Sequence, residues 1–133
     1  MKSLFYNTVN PILKSSLETL MNSEIFNDFR LVGGTSLSLQ LGHRISIDID
    51  LFSDVEYGSL DFEAIENYLS TKFNYLDFNS DFIPAFGKSY TIGNNKEDSV
   101  KLDIFYTDPF ITNKIVIDNI KLASIDEIIA MKI

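Results

Sequence analysis

Residues Arg44 to Phe52, "RISIDIDLF", constrain this chain more than any other stretch. Ile45, Ile47, Ile49 and Leu51 alternate with Arg44, Ser46, Asp48 and Asp50. A period of two is that of a β-strand, whose successive side chains point to opposite faces. One face is then apolar and suits a core. The other carries two carboxylates on residues ~6.5–7 Å apart at Cα. Two unit charges that far apart repel by roughly 2.4 kcal/mol at an effective dielectric of 20, and by about 0.6 kcal/mol in water. On an open face the pair costs little; in a cleft it calls for a compensating cation. For Asp48 and Asp50 by themselves, a solvated face explains the pattern as well as a site does.

A second strand supplies a third carboxylate. In "SVKLDIFY", Val100, Leu102, Ile104 and Tyr106 alternate with Lys101, Asp103 and Phe105, so Asp103 lies on the less apolar face. If the two strands are neighbours, at ~4.8 Å spacing, Asp103 approaches Asp48 and Asp50. Three oxygen ligands with no His or Cys suit Mg²⁺ or Mn²⁺. Two such ions ~3.5–4 Å apart are the usual device for in-line phosphoryl transfer.

Gly33 and Gly34 follow a short strand, Phe29 to Val32, and precede "SLSLQL". The alternation of Leu37, Leu39 and Leu41 suits a strand. Thr35 or Ser36 as cap and Gly42 as terminator favour a short helix. Glycine allows positive φ and close backbone approach. Free N–H groups at a helix N-terminus bind phosphate, here beside the Thr35 and Ser36 hydroxyls. A plain tight turn is the alternative. Followed directly by a carboxylate strand, the "GGTS" turn describes a nucleoside-triphosphate site.

The remaining pattern is helix and strand in alternation. Asn10 and Pro11 open a helix to about Asn22, with Ile12, Leu13, Leu17, Leu20 and Met21 at helical spacing. "SEIFNDF" is a further turn or short helix. "SLDFEAIENYLSTKF" is amphipathic along Phe62, Ile65, Leu69 and Phe73. Strands follow within residues 75–92 and 99–106, joined by a solvated turn at Asn94 to Asp98. "KIVIDNIKL" predicts a hairpin turning at Asp118–Asn119. Ser124 and Glu127 form a capping-box pattern ahead of Ile125, Ile128, Ile129 and Ile133. This order predicts an α/β (α+β) fold, a mixed sheet covered mainly on one side. At 133 residues, one domain over positions 1–133 is expected.

Several signals are ordinary. His43, the only histidine, suits a loop; Lys101 suits an ion pair with Asp103; Phe78, Phe82, Phe86 and Tyr90 suit packing around Pro84. With 11 basic and 19 acidic residues the net charge is −8, which disfavours bare nucleic-acid binding. The absence of cysteine removes disulfides and thiolate metal sites and fits a cytoplasmic protein. The N-terminus lacks the pattern of a signal peptide, and no run approaches the ~18 apolar residues of a membrane span.

Taken in order, "GGTSL", "RISIDIDLF", "VKLDIF" and "LASIDEIIAMKI" resemble the AbiEii-type nucleotidyltransferase toxins of type IV toxin–antitoxin systems, within the polymerase-β-like nucleotidyltransferase superfamily. The resemblance covers nearly the whole chain and is strongest from Leu31 to Phe52. It implies a mixed sheet flanked by helices, and transfer of a nucleoside monophosphate from a triphosphate such as ATP. It implies that Gly33, Gly34, Thr35 and Ser36 hold the triphosphate and that Asp48, Asp50 and Asp103 bind the metals and form the catalytic set. Lys132 falls where the family's lysine-bearing helix begins, and Arg44 shares the aspartate face; both are expected phosphate contacts. An antitoxin partner and a role in abortive infection are implied too. The family's pattern continues into a helical C-terminal region with a further Lys-Asp motif, so the chain, ending at Ile133, is expected to be truncated.

The expected activity is therefore Mg²⁺-dependent transfer to a hydroxyl of a protein, a tRNA end or a small molecule. Two alternatives stay open. One is a catalytically incomplete module of the same fold that binds a nucleotide or partner. The other is a structural domain whose aspartates are merely solvated.

Overall fold

The computed structural model describes residues 4–42, 48–78 and 87–131. The start of the aspartate strand (Arg44 to Ile47), His43, Phe82, Pro84, Phe86, Lys132 and Ile133 lie outside the described residues.

Helix α1, Pro11–Met21, starts as its sequence requires: Asn10 caps it, its side chain accepting from the Leu13 N–H at 2.8 Å, and proline takes the first position. A 3₁₀ turn at Glu24–Phe26 leads into β1, Arg30–Val32. The chain enters α2, Gly33–Leu41, without a linker. Next come β2 (Asp48–Ser53), α3 (Phe62–Lys72, capped by Asp61) and β3 (Tyr75–Asp77). Strands β4 (Gly87–Asn95) and β5 (Asp98–Tyr106) form a hairpin. A second hairpin pairs β6 (Ile115–Ile117) with β7 (Ile120–Leu122) across Asp118 and Asn119. Both turn residues have positive φ, 53° and 66°, as a two-residue hairpin of this kind demands. Helix α4 is Ile125–Met131.

The seven strands form one mixed sheet in the order β3-β4-β5-β2-β1-β7-β6. β2 runs parallel to β5 and antiparallel to β1. Ile49 and Leu51 of β2, with Leu102 and Ile104 of β5, face α1 and α3. Leu13, Leu17 and Leu20 of α1 and Leu69 of α3 are almost fully buried against them. Each such side chain contributes about 1.5–3 kcal/mol when removed from water. Lys88 falls on this covered face and pairs with Glu66 of α3 at 2.9 Å, while the Tyr90 hydroxyl donates to the same carboxylate. The opposite face is largely open. Among the described residues it carries a small apolar cluster of Val32, Ala123 and Ile128, with Phe52 against it.

Two local expectations are corrected. Neither Thr35 nor Ser36 caps α2: Val32 is its N-cap and the helix begins at Gly33, whose φ of +70° turns strand into helix within one residue. Gly42 terminates α2 as expected, in the left-handed conformation. Only half of the capping box at α4 forms. The Ser124 hydroxyl accepts from the Glu127 N–H at 3.1 Å, but the Glu127 carboxylate turns away from the cap. It accepts instead from the N–H groups of Ile111 and Thr112, both at 2.8 Å.

Candidate active site

The register of the open face decides which side chains meet. Asp50 of β2 stands directly beside Asp103 of β5, and Asp103 beside Ser89 of β4. On its other side Asp50 pairs with Val32, the last residue before the glycines. One row across the sheet therefore reads Val32, Asp50, Asp103, Ser89. The next row reads Asp48, Lys101, Thr91, Asp77, crossing from β2 to the edge strand β3. Asp48, Asp50 and Asp103 thus share a face, as the alternation predicts.

The carboxylates are close enough to perturb one another. Burial, a hydrogen bond to Asp103, and the charges of Asp103 and Asp48 push Asp50 up to about 7, against a partial lowering by Lys101. Lys101 Nζ lies 3.6 Å from Asp103 Oδ2, the expected ion pair. The Ser89 hydroxyl donates to Asp103 Oδ1 at 2.6 Å. Asp50 therefore keeps its proton up to about pH 7, against the neighbouring Asp103 carboxylate.

The glycine turn reaches this pair. A β-carbon built on Gly33 would lie 2.5 Å from Asp50 Oδ2 and displace that carboxylate, and the φ of +70° favours glycine in its own right. Gly34 continues the first turn of α2. Thr35 and Ser36 are buried, 1 % and 0 % exposed. The Thr35 hydroxyl donates to the Asp48 carbonyl, tying the turn to β2. The Ser36 hydroxyl is shared between the Gln40 amide, at 3.0 Å, and the Ala123 carbonyl, at 3.5 Å. These hydroxyls brace the turn from inside. What the turn offers outward is main-chain N–H, because the first N–H groups of a helix lack intrahelical acceptors. Arg44 and Lys132 lie outside the described residues.

Among the described residues, no group of three His, Cys, Asp or Glu side chains is already gathered as a metal cage. The donor set nevertheless fits a hard divalent cation: it offers only oxygen, and one carboxyl is held protonated up to about pH 7 largely by burial and by its like-charged neighbours.

Sequence reasoning missed the polar neighbours on the β3–β4 side. A cleft of about 380 Å³ lies there, lined by Asp77, Phe78, Ser89, Tyr90, Thr91 and Lys101. The alternation of Lys88, Tyr90 and Ile92 against Ser89 and Thr91 carries the signal, although a lysine in the buried register obscures it. Phe78 packs edge-on against Tyr90, ring centres 5.2 Å apart, in keeping with the expected packing role.

Comparison with known proteins bears on the family and the fold. Residues 15–133 match the family described as "Nucleotidyl transferase AbiEii toxin, Type IV TA system". A candidate nucleotidyltransferase from H. pylori superposes with a TM-score of 0.63 at 20 % identity, over 90 % of this chain and 54 % of that one. The crystal structure of JHP933 from Helicobacter pylori gives 0.58 at 23 % identity, over 90 % and 52 %. This chain thus spans about half the length of the solved proteins it resembles. An uncharacterized protein of Aquifex aeolicus, aq_aa25, is 45 % identical over 40 residues, 30 % of this chain and 19 % of that protein. No helix among the described residues is long and apolar enough to cross a membrane. On the match across residues 15–133, the chain belongs to the AbiEii nucleotidyl transferase toxin family of type IV toxin–antitoxin systems.

Proposed function

We propose that this chain binds a nucleoside triphosphate with Mg²⁺ or Mn²⁺ and transfers the nucleoside monophosphate to an acceptor hydroxyl. The observation that carries it is the cross-strand pairing of Asp50 with Asp103 beside the Gly33 turn. Asp48, Asp50 and Asp103 would hold the cation. A bound divalent cation supplies charge neutralisation at the phosphoryl group and the leaving oxygen. The main-chain N–H groups of Gly33, Gly34, Thr35 and Ser36 grip the leaving phosphates, and Arg44 and Lys132 add positive charge to them. The Asp50–Asp103 pair receives the proton of the attacking hydroxyl. The cellular role is that of a cytoplasmic toxin restrained by an antitoxin protein.

A module that binds a nucleotide or partner without turnover is the second reading. It draws on the absence, among the described residues, of a ready-made three-ligand cage. Calorimetry with each of the four ribonucleoside triphosphates, with and without Mg²⁺, tests what the two share. Metal-dependent binding that disappears in Asp48→Asn supports both; binding indifferent to metal and to that substitution removes both. Transfer of an α-phosphate label to any acceptor in a cell lysate then separates the enzyme from the binder.

A further inference from the structure

We infer that Ser89 of β4 is a positioning residue for the cation site. By anchoring one oxygen of Asp103 it presents the other as a single ligand atom, which favours Mg²⁺ or Mn²⁺ over Ca²⁺. This rests on the nucleotidyltransferase function proposed above and adds how the strand beside the aspartates selects the ion.

The two oxygens of Asp103 are held unequally. Oδ1 accepts from the Ser89 hydroxyl at 2.6 Å, within the range of a charge-assisted O–H···O⁻ bond. Oδ2 lies 3.6 Å from Lys101 Nζ, an ion pair too long for a hydrogen bond. Ser89 stands directly across from Asp103 in the β4–β5 register, and its hydroxyl hangs on a single carbon. The sheet itself therefore fixes where that hydroxyl sits. Lys101 reaches Oδ2 at the end of a long flexible stem, with 56 % of its side chain exposed. An exposed pair of this kind is weak and yields to a stronger cation. The Asp103 side chain keeps only 16 % of its surface exposed, so the serine bond counts for more than it would in water.

The unequal hold matters because divalent ions differ in what they ask of a carboxylate. Mg²⁺ demands a near-octahedral shell at ~2.0–2.1 Å, whereas Ca²⁺ takes about six to eight oxygens at ~2.3–2.6 Å and accepts both oxygens of one carboxylate. A carboxylate free to turn serves either ion. One whose Oδ1 is already engaged by a hydroxyl offers Oδ2 as the better ligand, and a single oxygen fits the smaller shell. The effect extends along the row, since Asp103 stands between Ser89 and Asp50 and is hydrogen-bonded to Asp50. An Asp103 that loses its anchor turns against its neighbour as well. Ser89 is exposed and lies outside the core cluster, so its removal leaves the packing of the sheet intact.

The test uses the full chain without nucleotide. Mn²⁺ is the probe, its free form read by electron paramagnetic resonance, with Mg²⁺ and Ca²⁺ as competitors. The variants are Ser89→Ala, Ser89→Thr and, as the control for the site, Asp103→Asn. Ser89→Ala should bind Mn²⁺ at least about tenfold more weakly, as loss of a partner behind a ligand commonly does. Ca²⁺ should gain on Mg²⁺ as a competitor in the same variant. Ser89→Thr keeps the hydroxyl on a side chain suited to a strand and should restore both the affinity and the order of the ions. Unchanged Mn²⁺ affinity in Ser89→Ala, beside a loss in Asp103→Asn, overturns the role of Ser89 and leaves the cation site standing. A loss in Ser89→Ala that keeps the order of Mg²⁺ and Ca²⁺, or that Ser89→Thr fails to restore, makes the serine a packing residue and overturns the inference too. A wild type that binds no Mn²⁺, or an Asp103→Asn that binds it normally, removes the cation site on which the proposed function depends, and the role of Ser89 with it.

Discussion

Asp50 and Gly33 are in contact: a β-carbon on the glycine would sit 2.5 Å from Asp50 Oδ2 and 3.3 Å from its carboxyl carbon. The glycine also holds φ at +70°, the left-handed region. Two separate requirements therefore fall on one residue, one of backbone geometry and one of space. Gly33→Ala should lose about 1–2 kcal/mol from the backbone alone. It should also push the Asp50 carboxylate off Gly33. The expected outcome is a lowered melting temperature together with loss of metal-dependent triphosphate binding, measured by calorimetry. An alanine variant that binds nucleotide normally would separate Asp50 from the phosphate turn.

Asp50 gives the protein a pH dependence of definite sign. Its carboxyl is raised from an ordinary 3.8 to about 7, first by burial and then by Asp103 and Asp48. The folded state thus binds a proton that the unfolded state has released. The resulting stabilisation is complete below about pH 4 and is lost as pH rises through about 7. Thermal unfolding of the metal-free protein should show this fall between pH 5 and pH 8. Asp50→Asn should flatten it, having no proton to lose. Saturating Mg²⁺ should also flatten it by holding the carboxylate in place of the proton. A fall of equal size in Asp50→Asn would assign the effect to other groups.

Much of the site was legible because a strand has period two. Once Ile49 and Leu51 face a core, Asp48 and Asp50 must face away, and the same parity places Asp103. The pairing of β2 with β5 was not legible, since β3, β4 and α3 intervene in sequence and nothing local selects the neighbour. Thr35 and Ser36 misled as caps because the turn happens earlier, at Gly33, and leaves both hydroxyls inside. Glu127 sits at the right spacing for a reciprocal cap, yet two main-chain N–H groups of the 111–112 loop compete for it and win. Ser89 was hidden for another reason: its value lies wholly in a cross-strand partner, Asp103, 14 residues away.

Lys88 and Glu66 predict a contrast between breaking an ion pair and replacing it. Glu66→Ala leaves a 7 % exposed Lys88 side chain and the Tyr90 hydroxyl without their shared acceptor. The expected cost is about 3 kcal/mol, towards the low end for a buried pair because Glu66 keeps some contact with water. Glu66→Leu combined with Lys88→Met should come within about 1 kcal/mol of wild type, since no charge is left stranded. Urea denaturation of the single and double variants measures both. A double variant as unstable as the single one would show that the pair holds α3 to the sheet by more than charge.

Glu127 closes the far end of the aspartate face by a different device. Its carboxylate, on a residue only 3 % exposed, accepts from the N–H groups of Ile111 and Thr112 and from the Thr112 hydroxyl. Arg30 lies 3.9 Å from it, donates to the Thr112 carbonyl at 2.8 Å and stacks on the Phe110 ring. The loop from β5 to β6 is thus held by Glu127 and Arg30 from different elements, and Asp54 accepts from the Phe110 N–H at 3.1 Å. Hydrogen bonds to a charged acceptor contribute about 1.5–3 kcal/mol each, and they share their partners here, so Glu127→Ala should cost about 3 kcal/mol. Glu127→Gln retains a carbonyl acceptor and should cost roughly half as much. Hydrogen exchange at the Ile111 and Thr112 amides should quicken in both variants, more in the alanine. Triphosphate affinity should stay near wild type, because Glu127 touches none of Asp48, Asp50, Asp103 or Gly33. Protected Ile111 and Thr112 amides in Glu127→Ala would mean that Arg30 and the Phe110 ring hold the loop without the carboxylate.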